Sequence, residues 1–83
     1  MDIANEMKQI LSKMTGMEVE EINEDDNLID DLGIDSLKVI EIATQLEKTY
    51  RVKVKESQMA QIKTVRDTIN VLGELLEAAN APK

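Results

Sequence analysis

Among the side chains in this sequence that could do chemistry, Ser36 has the most informative setting. It lies in Asp31-Leu32-Gly33-Ile34-Asp35-Ser36-Leu37, where an acidic stretch without periodicity stops and a strongly periodic helix begins. A serine at a helix start can cap backbone N–H groups, and a phosphate attached to it would sit where those groups and the helix dipole favour an anion. The same residues also suffice as a plain cap, since Asp and Ser are among the commonest residues at helix starts. The chain has no His and no Cys. The usual general bases, thiol nucleophiles and soft-metal ligands are therefore missing, which leaves carboxylate, Lys, Tyr and Ser chemistry. Without a histidine Ser36 cannot join a Ser-His-Asp triad, so a base that activated it would have to come from another protein.

Length and composition limit what surrounds this serine. The 83 residues are expected to form one domain spanning residues 1–83. A chain of that size buries only about 60 to 65 percent of its unfolded surface, enough for one modest core and no enclosed cleft. That favours a non-catalytic protein handled by enzymes over an enzyme. The absence of Cys fits a reducing compartment. The start Met1-Asp2-Ile3-Ala4-Asn5-Glu6 lacks a basic region followed by an apolar run, and no stretch approaches the roughly eighteen apolar residues of a membrane span. A soluble, cytoplasmic protein with no membrane partner is expected.

Ten basic and seventeen acidic residues give a net charge of −7. This opposes binding to nucleic acid and favours basic protein partners. The charge is unevenly placed: residues 1–47 hold thirteen acidic and three basic side chains, net −10, whereas residues 48–83 hold four acidic and seven basic, net +3. The acidic field belongs to the half that contains Ser36.

The elements that must position Ser36 follow from periodicity. A first helix is expected from Asp2 or Ile3 to Met14, with Ile3, Met7, Ile10, Leu11 and Met14 as its core stripe and Gly16 as its stop. Thr15 to Asp35 carries no period. There Met17, Val19, Ile22, Leu28, Ile29 and Leu32 punctuate nine carboxylates and are expected to pin a long loop across the helices, with a helical turn at Asn27–Asp31. An EF-hand register that places Gly33 at position 6 puts Leu28 and Leu32 at positions 1 and 5, so the calcium motif fails and no metal site is assigned.

The second helix should run from Ser36 to about Tyr50 with Val39, Ile42, Ala43, Leu46 and Tyr50 inward. Leu37 and Ile40 fall on the opposite side, with Glu41, Thr44 and Lys48. Two large aliphatics on an outer face, rimmed by charge and one turn from Ser36, suggest a small docking surface. Arg51-Val52-Lys53-Val54-Lys55 alternates basic and apolar and is expected to be an extended connection with both valines inward. A short helix at Glu56–Gln61 is anchored by Met59 and Ile62. Thr64-x-x-Asp67 is a capping box for a last helix striped by Val65, Ile69, Leu72, Leu76 and Ala79, and residues 80–83 are expected to fray. The fold class is thus all-α: a small four-helix bundle, three longer helices plus one short one, with a long acidic loop between the first two.

The stretch Asp31-Leu32-Gly33-Ile34-Asp35-Ser36-Leu37 resembles the attachment site of the acyl carrier proteins. The resemblance covers nearly the whole chain, from the first helix through the acidic loop and the Asp-Ser-Leu helix to the last helix opening at Lys63-Thr64-Val65. It implies that Ser36 bears 4′-phosphopantetheine, taken from coenzyme A by a phosphopantetheinyl transferase, and that the arm's thiol carries acyl intermediates as thioesters in fatty-acid, polyketide or related biosynthesis. It further implies that Asp35 contacts the transferase's magnesium and Leu37 its apolar surface. Partner docking is expected at Leu37, Lys38, Ile40, Glu41, Thr44 and Glu47, toward acyl transferases, synthases or ligases, with the carrier a monomer. Lys38 and Thr44 depart from the residues usual in fatty-acid carriers, as does the basic run Arg51–Lys55, and these departures point to a specialised pathway. An aminoacyl or peptidyl carrier, and an unmodified adaptor with the same fold, are the alternatives.

Overall fold

The computed structural model describes residues 2–80. It contains four α-helices: α1 (Ile3–Thr15), α2 (Ser36–Tyr50), α3 (Glu56–Met59) and α4 (Val65–Asn80). A single 3₁₀ turn at Val19–Glu21, not anticipated from the pattern, interrupts the first connection. Asn80 closes α4 and so belongs to a helix, while Ala81–Lys83 of the expected frayed tail lie outside the described residues.

Each helix boundary has a local cause. Asp2 caps α1, its side chain accepting the Asn5 N–H at 3.1 Å. At the other end Gly16 takes the left-handed conformation (φ 78°) and donates its N–H to Ser12 O at 2.9 Å, which is the αL stop a glycine makes without steric penalty. The Thr64/Asp67 box forms as expected: the Asp67 N–H donates to Thr64 Oγ1 at 3.2 Å, and the Thr64 N–H donates to Asp67 Oδ2 at 2.9 Å. α3 is shorter than expected, ending at Met59 with a turn after it.

The core is one cluster, built from Met7 and Leu11 of α1, Ile42, Ala43 and Leu46 of α2, Val65, Val71, Leu72 and Leu75 of α4, and residues of the connections. α4 is more deeply enclosed than its stripe suggested. Val71 and Leu75 join Val65 and Leu72 in the interior, whereas Ile69 and Leu76 of the expected stripe are only partly buried and Ala79 is exposed. The reason is that α4 is contacted on two sides, by α1 and by the long loop, so its buried sector is wider than one 3.6-residue stripe. Thr68, fully buried, donates its hydroxyl to Val65 O at 2.6 Å and leaves no unsatisfied group.

The α1–α2 connection is held from inside and along its backbone. Ile22, Leu28, Leu32 and Ile34 are buried, and Met17 and Val19 are partly so. Ile29 behaves differently from the expectation: at 59% exposure it anchors nothing. The turn starting at Asn27 explains this. Asn27 Oδ1 accepts the N–H groups of Ile29 and Asp30, both at 2.9 Å, and the turn delivers Leu28 and Leu32 to the core with Ile29 on its outer side. Three backbone bonds then tie the loop to the start of α4: Leu28 N–H to Lys63 O (3.0 Å), Val65 N–H to Asp26 O (3.0 Å) and Arg66 N–H to Glu24 O (2.8 Å). Asn27 and Thr64 form an isolated antiparallel bridge at the same place.

Candidate functional site

Ser36 sits where the long loop delivers the chain to α2. Gly33, at φ 69°, turns the backbone through the left-handed region, and the next residue, Ile34, is buried and donates its N–H to Leu28 O at 2.9 Å. Leu28 is itself bound to Lys63 O, so the approach to Ser36 is fixed through two consecutive backbone bonds to the start of α4. Asp35, not Ser36, is the cap. Its Oδ1 accepts the Lys38 N–H at 2.9 Å, and its extended backbone (φ −90°, ψ 178°) precedes Ser36 as the first helical residue. The carboxylate therefore satisfies the donor that a serine cap would have taken, and the serine hydroxyl is released from that role.

The three serines differ in the way this reading needs. Ser12 is partly buried and its hydroxyl donates to Met17 O at 2.5 Å. Ser57 is exposed but lies in the four-residue helix α3. Ser36 is exposed at the N-terminus of a fifteen-residue helix, and no hydrogen bond ties its hydroxyl to another described residue. The first N–H groups of such a helix, with its dipole, favour a phosphate on that hydroxyl. A phosphodiester on Ser36 thus fits the residues present.

The outer face of α2 carries the other expected residues. Leu37 and Ile40 are 70% and 51% exposed, so the loop does not cover them. Lys38 is exposed, and its Nζ lies 3.5 Å from Glu41 Oε2, an exposed i,i+3 pair. Thr44 is exposed and donates its hydroxyl to Ile40 O at 3.1 Å. Glu47 stands apart from these: it is partly buried, and its Oε2 accepts the Val54 N–H at 2.9 Å. It braces the connection that follows α2 and is not a free charge on the outer face.

Two hollows flank this helix. One, of about 290 Å³, is lined by Leu28, Ile29, Val39 and Ile62 one turn from Ser36. The other, of about 410 Å³, lies between α1 and α2, with Ile10 and Met14 opposite Glu41 and Thr44. Sequence reasoning had missed Ile34 as a core anchor of the site; it sits between Gly33 and Asp35, where the loop has no period to expose it.

The crowded carboxylates have specific partners. Glu21 accepts the Glu18 N–H (3.0 Å), Asp26 the Asn23 N–H (3.0 Å) and Asp31 the Asn27 N–H (2.7 Å). Arg66 of α4 pairs with Asp25 and, at 3.8 Å, with Glu24, which also lies 3.9 Å from Lys8 of α1. The Asp25 hydrogen bond and charge raise the Arg66 pKa above its ordinary value. Among the described residues no three carboxylates converge as they would around a metal ion.

Comparison with known proteins agrees with this geometry. A family model described as "Phosphopantetheine attachment site" matches residues 5–72. An acyl carrier protein of Rhodococcus erythropolis is 40% identical, aligned over 96% of this chain and 92% of that protein. The meromycolate extension acyl carrier protein of Mycolicibacterium aurum is 37% identical over 86% of this chain and 73% of its own length. The meromycolate extension acyl carrier protein of Mycobacterium leprae is 39% identical over 83% of this chain, which spans 60% of that relative's length. In fold, the crystal structure of the acyl carrier protein from Thermotoga maritima matches with a TM-score of 0.76 at 24% identity, covering 90% of this chain and 87% of that one. From the family match and the extent of these identities, the chain belongs to the acyl carrier proteins, non-catalytic carriers that bear covalently attached 4′-phosphopantetheine.

Proposed function

We propose that Ser36 is the attachment residue and that the loaded chain carries acyl groups between enzymes of lipid chain extension. The observation that carries this reading is the exposed, unbonded Ser36 hydroxyl at the start of α2, with Asp35 already serving as the cap. Its oxygen attacks the β-phosphate of coenzyme A, a phosphodiester forms, the adenosine bisphosphate half leaves, and the hydroxyl proton passes to a base of the phosphopantetheinyl transferase. Asp35 uses Oδ1 for the Lys38 N–H, and its second oxygen remains for the transferase's magnesium. Leu37, the most exposed large aliphatic of the chain's described part, provides apolar contact to the transferase. The arm, when bound, supplies the thiol that holds acyl groups as thioesters. Brief docking of a tethered cargo raises its effective concentration at each partner.

The test is intact mass after incubation with coenzyme A and a broad-specificity transferase. The wild type, Ser12→Ala and Ser57→Ala should each gain one arm, and Ser36→Ala should fold and gain none. Modification of Ser36→Ala, or an unmodified wild type under conditions that load a known carrier, would overturn the assignment.

Similarity to carriers named for meromycolate extension, together with Lys38 two residues beyond Ser36, supports a specialised pathway. Acyl transferases, synthases or ligases that read the Leu37/Ile40 face must accept a cation there. Like charges juxtaposed at an interface oppose docking. Lys38→Glu should therefore speed malonyl loading of the holo protein by a generic fatty-acid transacylase, with the gain shrinking at high salt; equal rates at low salt would reduce Lys38 to a solvated partner of Glu41.

A further inference from the structure

The extended segment after α2 presents cations in a way that the carrier site does not use. Burial alternates through Arg51, Val52, Lys53, Val54 and Lys55: the three basic residues are exposed, Val52 is partly buried and Val54 is buried. Period-two alternation places Lys53 and Lys55 on one side, about 7 Å apart along the chain, and Arg51 precedes them at the end of α2. Lys48, exposed in the last turn of α2, adds a fourth cation shortly before them in the chain. Among the described residues none of these four cations is in an ion pair. Two carboxylates flank the row in sequence: Glu47, held by the Val54 N–H, and Glu56, exposed at the start of α3.

Local stability does not account for the row. Arg51 has φ 55° and ψ 49°, a left-handed conformation that costs a residue with a Cβ roughly 1 kcal/mol or more and in which glycine would be unstrained. A basic residue near a helix C-terminus complements the dipole, which explains Lys48 and Arg51. It does not reach Lys53 and Lys55. The amides of Val54 and Lys55, moreover, are taken by the side chains of Glu47 and Gln58, so what the segment offers a partner is its cations.

We infer that Lys48, Arg51, Lys53 and Lys55 form a second recognition surface, at the opposite end of α2 from Ser36, for a short, extended, acidic segment of a partner protein. Its carboxylates would match the cation row. Charge placement selects this occupant. An anionic bilayer or a duplex is extended, and against a body of 39 × 25 × 20 Å it would also face the half of the chain that carries net −10. A short acidic segment meets only the row, since the Debye length is about 10 Å at 0.1 M salt. No large exposed aliphatic lies in the row to insert into lipid; Ile29, Leu37 and Ile40 are elsewhere. In a second copy of this chain, the acidic loop has Glu21, Asp26, Asp31 and Asp35 engaged with its own backbone, and Asp25 with Arg66.

The proposal is tested by NMR titration of the ¹⁵N-labelled full chain with a short peptide alternating Glu and Thr, its Gln-for-Glu control, and phosphatidylserine-containing vesicles. The Glu peptide should shift the amides of residues 48–55, the Gln peptide should not, and vesicles should leave the spectrum unchanged. Lys53→Glu/Lys55→Glu should weaken peptide binding by at least about tenfold, as like-charge juxtaposition predicts. Lys63→Glu should bind as the wild type does. Both variants change exposed side chains, and Lys53→Gln/Lys55→Gln provides a milder form should the double reversal fail to fold. Equal peptide affinity in the Lys53/Lys55 variants, shifts centred on Lys63 and Arg66, a preference for vesicles, or concentration-dependent self-association through residues 48–55 would each overturn it.

Discussion

The two connections that flank α2 are both irregular and both highly charged, and they hold their charge in opposite ways. The acidic one, before α2, is anchored by four buried aliphatics and by three backbone bonds to the start of α4, and most of its carboxylates accept a backbone N–H or meet a cation. The basic one, after α2, has a single buried valine and the Glu47 bond, and among the described residues its exposed cations enter no ion pair. A loop that must hold one residue, Ser36, at a fixed place uses its polar groups internally. The basic segment leaves its cations in solvent.

Substitutions should separate the two connections by size of effect. Leu28→Ala removes a fully buried side chain from the acidic loop and should cost about 2 to 5 kcal/mol in urea unfolding. Val54→Ala, the corresponding change in the basic connection, should cost only about 1.5 kcal/mol for two methylene equivalents. A Leu28→Ala cost no larger than that of Val54→Ala would show that the two connections are anchored alike.

The next largest effect is expected at the turn into the site. Gly33 has open space where a Cβ would stand, so Gly33→Ala meets no clash and is opposed only by its φ of 69°. The cost should be about 1 to 2 kcal/mol, and α2 should remain intact by circular dichroism. A neutral or stabilising result would mean that the turn can relax without disturbing Ile34.

Acid should loosen the acidic loop through its anchor on α4. Burial pushes the Asp67 carboxyl up, but the Thr64 and Lys63 N–H groups, aided by the charge of Lys63, outweigh it and hold the carboxyl below its usual range. A carboxyl depressed in the folded state contributes stability that is fully present above its unfolded value of about 3.9 and is lost as pH falls through the folded value. Asp67→Asn, which keeps an acceptor but not the charge, should therefore flatten the decline in urea midpoint below about pH 4. An unchanged acid limb would move the dependence to the other carboxylates.

The smallest effect should be electrostatic and confined to the surface. Nine carboxylates lie between residues 18 and 35, and among the described residues Lys8 and Arg66 are the cations that pair with them. The urea midpoint should rise with sodium chloride and more steeply with magnesium or calcium, because repulsion between exposed charges is screened. Arg66→Ala should lower the midpoint most at low salt and steepen its salt dependence. A flat or falling midpoint in both proteins would show that the carboxylates are already compensated by their backbone partners.

Helix boundaries were readable wherever a local rule sets them. Gly16 stops α1, Thr64 and Asp67 open α4, and the span Ser36–Tyr50 follows from the inward set Ile42, Ala43 and Leu46. The exposure of Leu37 and Ile40 was readable for the same reason, since a helix of known phase cannot bury both faces against one core. The loop was not readable at this level. Ile29 and Leu28 are adjacent aliphatics of equal appeal, and only the Asn27 turn decides that Leu28 goes in and Ile29 stays out.

What the sequence alone determined is therefore local and periodic: an all-α chain, a helix starting at Asp35-Ser36, an acidic half and a basic half. The tertiary structure decided how those pieces share their polar groups. It made Asp35 the cap and freed the Ser36 hydroxyl, drew Glu47 to Val54, widened the buried sector of α4 to include Val71 and Leu75, and set Arg66 against Asp25 across forty-one residues of sequence. Pairings of that kind depend on which distant donor arrives beside an acceptor, and neither period nor propensity carries that information, because both are sums over near neighbours along the chain.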